Sequence, residues 1–314
     1  DRRQRQSAKR DRVKADLITL KESFGDERKT KVYKGKVSDI AEEDLVAAET
    51  TFITLSNSGY IKRMPPSTYK VQNRGGKGIV GATTKEDDFI AHAAACNTHD
   101  KIVFFTNKGR AFETRAFEIP EFGRTAKGIP IVNLVQMEQD ELVTALLTRN
   151  KEGFSADTAL DIDGDEGAKA KPAVTYKYLF MATKFGTVKK TELSEFDAIR
   201  SSGLISIKLD AGDELKWVKP TTGGNQVMLV SKLGRSIKFD ERSVRPTGRN
   251  TRGVRGIAFK KDDDEIISMD IVRNDNDVLL TISENGCGKK TALSKYPLQG
   301  RAGQGVFTLS LIHI

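Results

Sequence analysis

The sequence predicts an all-β protein assembled from internal repeats, with one short helix ahead of them. Five strand-turn pieces recur: Ile53 to Gly59 (ITLSNSG), Val103 to Gly109 (VFFTNKG), Phe180 to Gly186 (FMATKFG), Met228 to Gly234 (MLVSKLG) and Leu280 to Gly286 (LTISENG). Each is a β-branched and aromatic run ending in turn chemistry, the signature of a hairpin closed by glycine. A second landmark, glycine then an aliphatic residue, recurs as Gly78-Ile79, Gly128-Ile129, Gly203-Leu204, Gly256-Ile257 and Gly305-Val306. The hairpin glycines are 50, 77, 48 and 52 residues apart. A period near fifty in β-rich sequence points to propeller blades or a related closed array, here about five visible four-stranded blades.

From the N-terminus, Val13, Leu17, Leu20 and Phe24 make a narrow helical stripe over Lys9 to Phe24 that stops at Gly25. Residues 1–30 are read as this helix and a linker, and 31–308 as the repeat domain. After each of the first four hairpins comes an acid-flanked apolar run: Asp88 to Ala95, Asp140 to Thr148, Asp213 to Val218 and Asp264 to Val272. These supply outer strands. The long second interval holds an insertion, 151–175, rich in Gly, Ala, Asp and Lys and expected to be a loop. Its Asp161, Asp163 and Asp165 imitate a calcium loop, but Glu166 stands where glycine is required and Pro172 where the closing glutamate belongs. The last six residues, Leu309 to Ile314, match a translated sequencing adapter, so 309–314 are expected to be a non-native tail. Phe104, Phe105, Phe112, Phe117, Phe122, Phe180, Phe185, Phe196, Phe239 and Trp217 sit in apolar contexts and are expected in the core.

The 314 residues are 38% apolar and 30% charged, with net charge +9 and a pI near 9.3. That balance favours a polyanionic partner. Gln72 to Gly78 (QNRGGKG) carries the clearest functional signal: three glycines expose backbone amides while Arg74 and Lys77 add cations, a chemistry suited to phosphate. No Asp or Glu lies between Asn57 and Lys85. Ten Lys or Arg fall between Ser231 and Lys261 against Asp240 and Glu241. Cys96 and Cys287 lie in different repeats and form no framework. His92, His99 and His313 show no metal spacing, and His92 and His99 read as ordinary surface or strand-edge residues; neither a catalytic triad nor a phosphate-binding Walker loop can be argued. No signal peptide or membrane span is read.

The stretch from Asp39 to Gly78, with its seven-residue box, resembles the first blade of the C-terminal domain family of bacterial DNA gyrase A. Leu20 to Thr30 (LKESFGDERKT) looks like the segment leading into that domain. The resemblance runs from about Asp11 to Thr308. It implies a β-pinwheel whose basic rim wraps duplex DNA within an ATP-dependent topoisomerase, a heterotetramer of two gyrase A and two gyrase B chains that introduces negative supercoils. It implies the bacterial cytoplasm, at the chromosome, and no membrane. The family's cleaving tyrosine and Mg site lie in an upstream core and its ATPase in gyrase B, so this chain is expected to hold no cofactor and no catalytic residue. Tyr33, Tyr60 and Tyr69 are not that nucleophile. Two departures stand out: Asn73 occupies a position the family usually makes basic, and five repeats appear where six are usual.

The expected DNA-binding box is Gln72, Asn73, Arg74, Gly75, Gly76, Lys77 and Gly78. The expected rim is Lys62, Arg63, Lys108, Arg110, Lys127, Lys189, Lys190, Arg235, Arg242, Arg245, Arg249, Arg252, Arg255, Lys289, Lys290 and Arg301. Two rivals are the corresponding domain of topoisomerase IV, which decatenates and has a degenerate box or none, and a scaffold that binds an acidic protein. The intact box disfavours the first and the acid-free stretch around it the second.

Overall fold

The computed structural model describes residues 2–25, 46–68, 88–150, 153–155, 175–261, 263–274, 276–284 and 286–308. The box at 72–78, the 30/31 boundary, Asp161 to Glu166 and the tail at 309–314 lie outside them. The chain divides into two units, residues 1–45 and 46–314. In the first, a helix runs over Arg2–Phe24, one turn or more longer at its start than the apolar stripe predicts. It ends where the Gly25 amide bonds the Lys21 carbonyl at 2.9 Å. Val13, Leu17, Leu20 and Phe24 are all exposed.

In the second unit each of the first four hairpins sits at the centre of an antiparallel sheet, and the sheet's last strand arrives from the following repeat. The first blade places β1 (Thr50–Ser56) between β2 (Tyr60–Met64) and β3 (Ile90–Asn97). Its fourth strand, β6 (Ile129–Pro130), comes after the second repeat's hairpin of β4 (Lys101–Thr106) and β5 (Arg110–Arg115), and pairs Ile129 with Ile61. That second hairpin is flanked by β7 (Val143–Asn150) and completed by β11 (Leu204–Ile205) of the third repeat. In the third blade β9 (Tyr178–Thr183), β10 (Thr187–Glu192) and β12 (Leu215–Thr221) receive β15 (Val254–Arg255). In the fourth, β13 (Gln226–Ser231), β14 (Arg235–Asp240) and β16 (Ile266–Val272) receive β19 (Val306–Phe307).

Three details differ from expectation. The insertion contributes β8 (Gly153–Ser155), which extends the second sheet to five strands by turning back on β7. The fifth repeat is only a two-stranded hairpin among the described residues, β17 (Val278–Ile282) with β18 (Gly288–Ala292). In the fourth repeat the landmark is Gly253-Val254 rather than Gly256-Ile257, because Val254 is the residue that pairs with Val188.

Strand alternation explains the core. Side chains two apart share a face, so Phe104 joins a cluster with Ile53, Leu55 and Ile61 of the first blade. Its neighbour Phe105 joins Leu179, Met181 and Phe196 of the third. Phe180 then faces Val227, Leu229 and Phe239, while Met228 and Val230 face Leu293 and Tyr296 of the fifth repeat. Both faces of these inner hairpin strands are covered, and the sequence accordingly shows continuous apolar runs. Four aromatic residues depart from the core: Phe185 at a hairpin tip is exposed, Trp217 is half-buried beside a bulge, and Phe117 and Phe122 are half-buried outside the apolar clusters. The fifth hairpin buries one side only, leaving Val278, Leu280 and Ile282 exposed.

The acids that flank the outer strands hold the turns. Asp88 Oδ1 accepts from the amides of Ser58 and Phe89, Asp213 Oδ1 from Phe185 and Glu214, and Asp264 Oδ1 from Leu233 and Glu265, all within 3.0 Å. In the second blade Asn107 takes the Leu142 amide, and buried Glu141 accepts from Thr106 Oγ1 at 2.5 Å. All five hairpin glycines have positive φ, from 74° at Gly109 to 81° at Gly186, which explains the recurrence of glycine there.

The landmark glycines answer to a second constraint, close approach. A Cβ on Gly128, with φ of +88°, would meet the Ile61 carbonyl oxygen at 2.4 Å, and one on Gly253 would meet that of Val188 at 2.4 Å. Gly128→Ala is therefore expected to destabilise the chain by about 2–4 kcal/mol. Gly248→Ala, with open space around it, should stay within about 0.5 kcal/mol. Urea midpoints of the two variants against wild type check the contrast.

Candidate nucleic-acid interface

Before each borrowed strand the chain makes a seven-residue loop ending in the landmark glycine: 122–128, 197–203, 247–253 and 299–305. The box, 72–78, stands at the same place in the first repeat's sequence. Aligned on the glycine, Arg74 and Lys77 correspond to Arg124 and Lys127, and to Arg249 and Arg252.

Several of the expected rim cations turn out to be interior. Lys62 is 2% exposed, and its Nζ donates to the carbonyls of Arg124 at 2.5 Å and Ala126 at 2.9 Å. Lys189 is 1% exposed, and its Nζ donates to the carbonyls of Ser206 at 2.7 Å, Thr251 at 3.3 Å and Arg249. In the second and fourth blades the corresponding positions are Phe112 and Ile237. There the arginine following the hairpin glycine reaches the loop: Arg110 Nη2 bonds the Ser202 carbonyl at 2.7 Å, and Arg235 Nη1 those of Gln304 and Gly305 at 3.0 and 3.3 Å. Arg110 also pairs with Glu138 and Glu141, and Arg235 lies over the Phe307 ring.

The next residue along the second hairpin strand ties neighbouring repeats together. Arg63 Nε bonds the Ile119 carbonyl at 3.1 Å, Lys190 Nζ that of Glu241 at 2.9 Å and Lys238 Nζ that of Leu293 at 3.0 Å. Each acceptor lies at the short 3-10 turn of the following repeat. In the second blade this position is Glu113. It pairs at 3.1 Å with Arg149, which reaches instead, to the carbonyls of Phe196 and Asp197. Arg63 also pairs with Glu121 at 3.5 Å, and Lys190 lies beside the Tyr178 ring. Lys62, Lys189 and Lys190, expected at the rim, are thus buried internal ties, while Arg63, Arg110 and Arg235 are half-buried and donate to carbonyls of the same loops and turns. The reason is geometric: strands that carry them face the next repeat, and carbonyls of a loop or 3-10 turn need donors.

The remaining expected cations are more open. Arg242, Arg245 and Arg255 are exposed, and Arg252 has a 62% exposed side chain paired with Asp210 at 2.8 Å. Arg249 pairs with Glu195 at 2.9 Å, Lys108 with Glu138 at 2.9 Å, and Lys127 lies 3.5 Å from the Tyr60 ring centroid. Arg301 bonds the Arg255 carbonyl at 2.7 Å. Lys289 and Lys290 are exposed on β18, where no following strand is described. Sequence reading missed Arg124 and Arg149. Alignment on the landmark glycine would have found Arg124, because it falls on Arg74.

Burial lowers the affinity of Lys62 and Lys190 for their protons, and it pulls the Lys189 ammonium from 10.5 down to about 8, with Glu195 opposing and Arg249 assisting. Among the described residues no group of His, Cys, Asp or Glu could hold a metal ion, and no helix is long and apolar enough to cross a membrane.

Lys189 has a depressed value in the folded chain, so between about pH 8 and 10.5 the unfolded chain binds more protons and stability rises with pH. Lys189→Met should be less stable than wild type by about 1–3 kcal/mol, since loop carbonyls lose their donor. The gap between the two should widen across that pH window. Urea titrations of both proteins below and above pH 8 check the sign.

The description "DNA gyrase C-terminal domain, beta-propeller" matches this chain at residues 50–97, 100–149, 177–222, 225–273 and 277–311, one segment per repeat. The DNA gyrase A protein of Staphylococcus epidermidis is 38% identical over 300 residues, covering 95% of this chain and 31% of that protein. The chain therefore spans about a third of the length of such relatives. Among solved structures, the C-terminal domain of DNA topoisomerase IV superposes with a TM-score of 0.64 at 27% identity, over 83% of this chain and 73% of that one. The DNA gyrase A C-terminal domain gives 0.60 at 27%, over 82% and 76%. With five matched repeats, found where the sheets and borrowed strands lie, this chain belongs to the DNA gyrase A C-terminal domain family.

Proposed function

We propose that the chain binds duplex DNA along its exposed cationic loops and holds it bent, so that a gyrase assembled from A and B chains introduces negative supercoils in an ATP-dependent reaction. The observation that carries this reading is the recurrence of an arginine and a second cation in loops 122–128 and 247–253, at the positions of Arg74 and Lys77 in the box. ATP and Mg would act elsewhere in that assembly. Smoothly bending a site of a few helical turns costs of order 1–6 kcal/mol. Spread over many phosphate contacts, released counterions offset it, at about 0.9 in logarithmic salt slope for each contact. Contacts to phosphates carry no sequence information, so sequence preference enters through deformability.

A topoisomerase IV domain is the second reading, favoured by the similarity to the solved C-terminal domain of that enzyme. The box separates the two. In holoenzyme reconstituted from full-length gyrase A and gyrase B, alanine replacement of Gln72 to Gly78 should abolish supercoiling and leave relaxation largely intact. Supercoiling that survives unchanged overturns the role assigned to the box.

Band shifts with linear duplex at several salt concentrations test the rim. Replacing Arg245, Arg252 and Arg255 by Gln should weaken binding equally across sequences and flatten the salt slope by about 2–3, one phosphate each. Lys190→Met, an internal tie, should lower thermal stability with the slope unchanged.

A further inference from the structure

Lys62 and Lys189 stand three residues after a hairpin glycine, in the first and third blades, and both are almost wholly buried. Each grips the carbonyls of the third and fifth residues of the loop above it: Arg124 and Ala126 in one case, Arg249 and Thr251 in the other. Those two loops, among the four described, carry the pattern Arg-x-x-Lys/Arg-Gly, as Arg124 to Gly128 and Arg249 to Gly253. The loops without it, 197–203 and 299–305, stand over Phe112 and Ile237.

That correlation has a physical edge. Burying an ammonium is costly, and the second and fourth blades show that an apolar side chain fills the same place. The lysine answers a need of the loop, not of the core. By drawing two carbonyls inward, two residues apart, it fixes the backbone beneath a pair of cations. It also sets a third positive charge under two others, and at Lys189 the carboxylate of Glu195, paired with Arg249, outweighs the repulsion from Arg249. A phosphate outside the loop could take the place of such acids, and Arg252 is open enough to exchange Asp210 for one.

We propose that Lys62 and Lys189 are positioning residues for two phosphate-binding loops, 122–128 and 247–253, holding Arg124 with Lys127 and Arg249 with Arg252 against the backbone of a duplex. The inference rests on the DNA-binding reading above.

The test is the salt dependence of binding between the full chain and a linear mixed-sequence duplex. Lys62→Met and Lys189→Met should each flatten the slope by about 2, two contacts at about 0.9 each. Replacing Arg124 with Lys127, or Arg249 with Arg252, by Gln should flatten it as much, and adding the Met substitution below should flatten it no further. Lys238→Met removes another buried lysine, one whose Nζ donates to the Leu293 carbonyl at a 3-10 turn; it should lower the thermal midpoint and leave the slope alone. If a Met variant does not fold, Lys62→Gln and Lys189→Gln, neutral but still N–H donors, carry the same comparison. A full slope in folded lysine variants, with flattened slopes in the loop variants, overturns the positioning role and spares the DNA-binding reading. Full slopes in the loop variants remove these loops from the interface and overturn the inference. A wild-type chain that does not bind duplex overturns the reading and the inference together.

Discussion

Among the described residues no blade is complete within its own repeat. The strand that closes each of the first four sheets is borrowed from the next repeat, and the apolar clusters lie between blades, with the inner hairpin strands of the second, third and fourth repeats each supplying alternate side chains to two of them. Every other feature answers to that arrangement. Loops that deliver the borrowed strands must cross the end of a hairpin, which forces glycine where Gly128 and Gly253 leave only 2.4 Å between a Cβ position and a carbonyl oxygen. The carbonyls such loops turn inward must then find donors.

Those donors divide the basic residues into two populations that composition cannot distinguish. One set, with Lys62, Lys189, Lys190 and Lys238, is buried and committed to carbonyls of the following repeat, Lys189 also to one of its own. The other, with Arg245, Arg252 and Arg255, remains at the surface. A net charge of +9 is therefore a poor measure of the field a polyanion meets, since internal ammonium groups are screened by the dipoles that hold them.

Much of the fold was legible because glycine has few substitutes. Positive φ at each hairpin and contact at each crossing left a doubled mark that recurs with the repeat. What escaped was strand ownership: a two-residue strand such as Ile129–Pro130 carries no periodicity, and nothing local says that it pairs with Ile61 rather than with its own hairpin. The misplaced landmark in the fourth repeat has the same origin, since Gly253 and Gly256 both precede an aliphatic residue and only pairing selects one. For the interface, sequence located the basic loops but not the fate of each cation. Lys189 and Lys190 sit in a polar-looking strand, Thr-Val-Lys-Lys-Thr-Glu, whose burial arises from the repeat that packs over it.

Borrowing in one direction gives the chain a polarity in time. During synthesis a hairpin leaves the ribosome ahead of the strand that finishes its sheet, by about one repeat, and must wait with an open edge and a half-covered face. The nascent protein therefore always trails one unfinished blade, which each new repeat repairs while exposing its own.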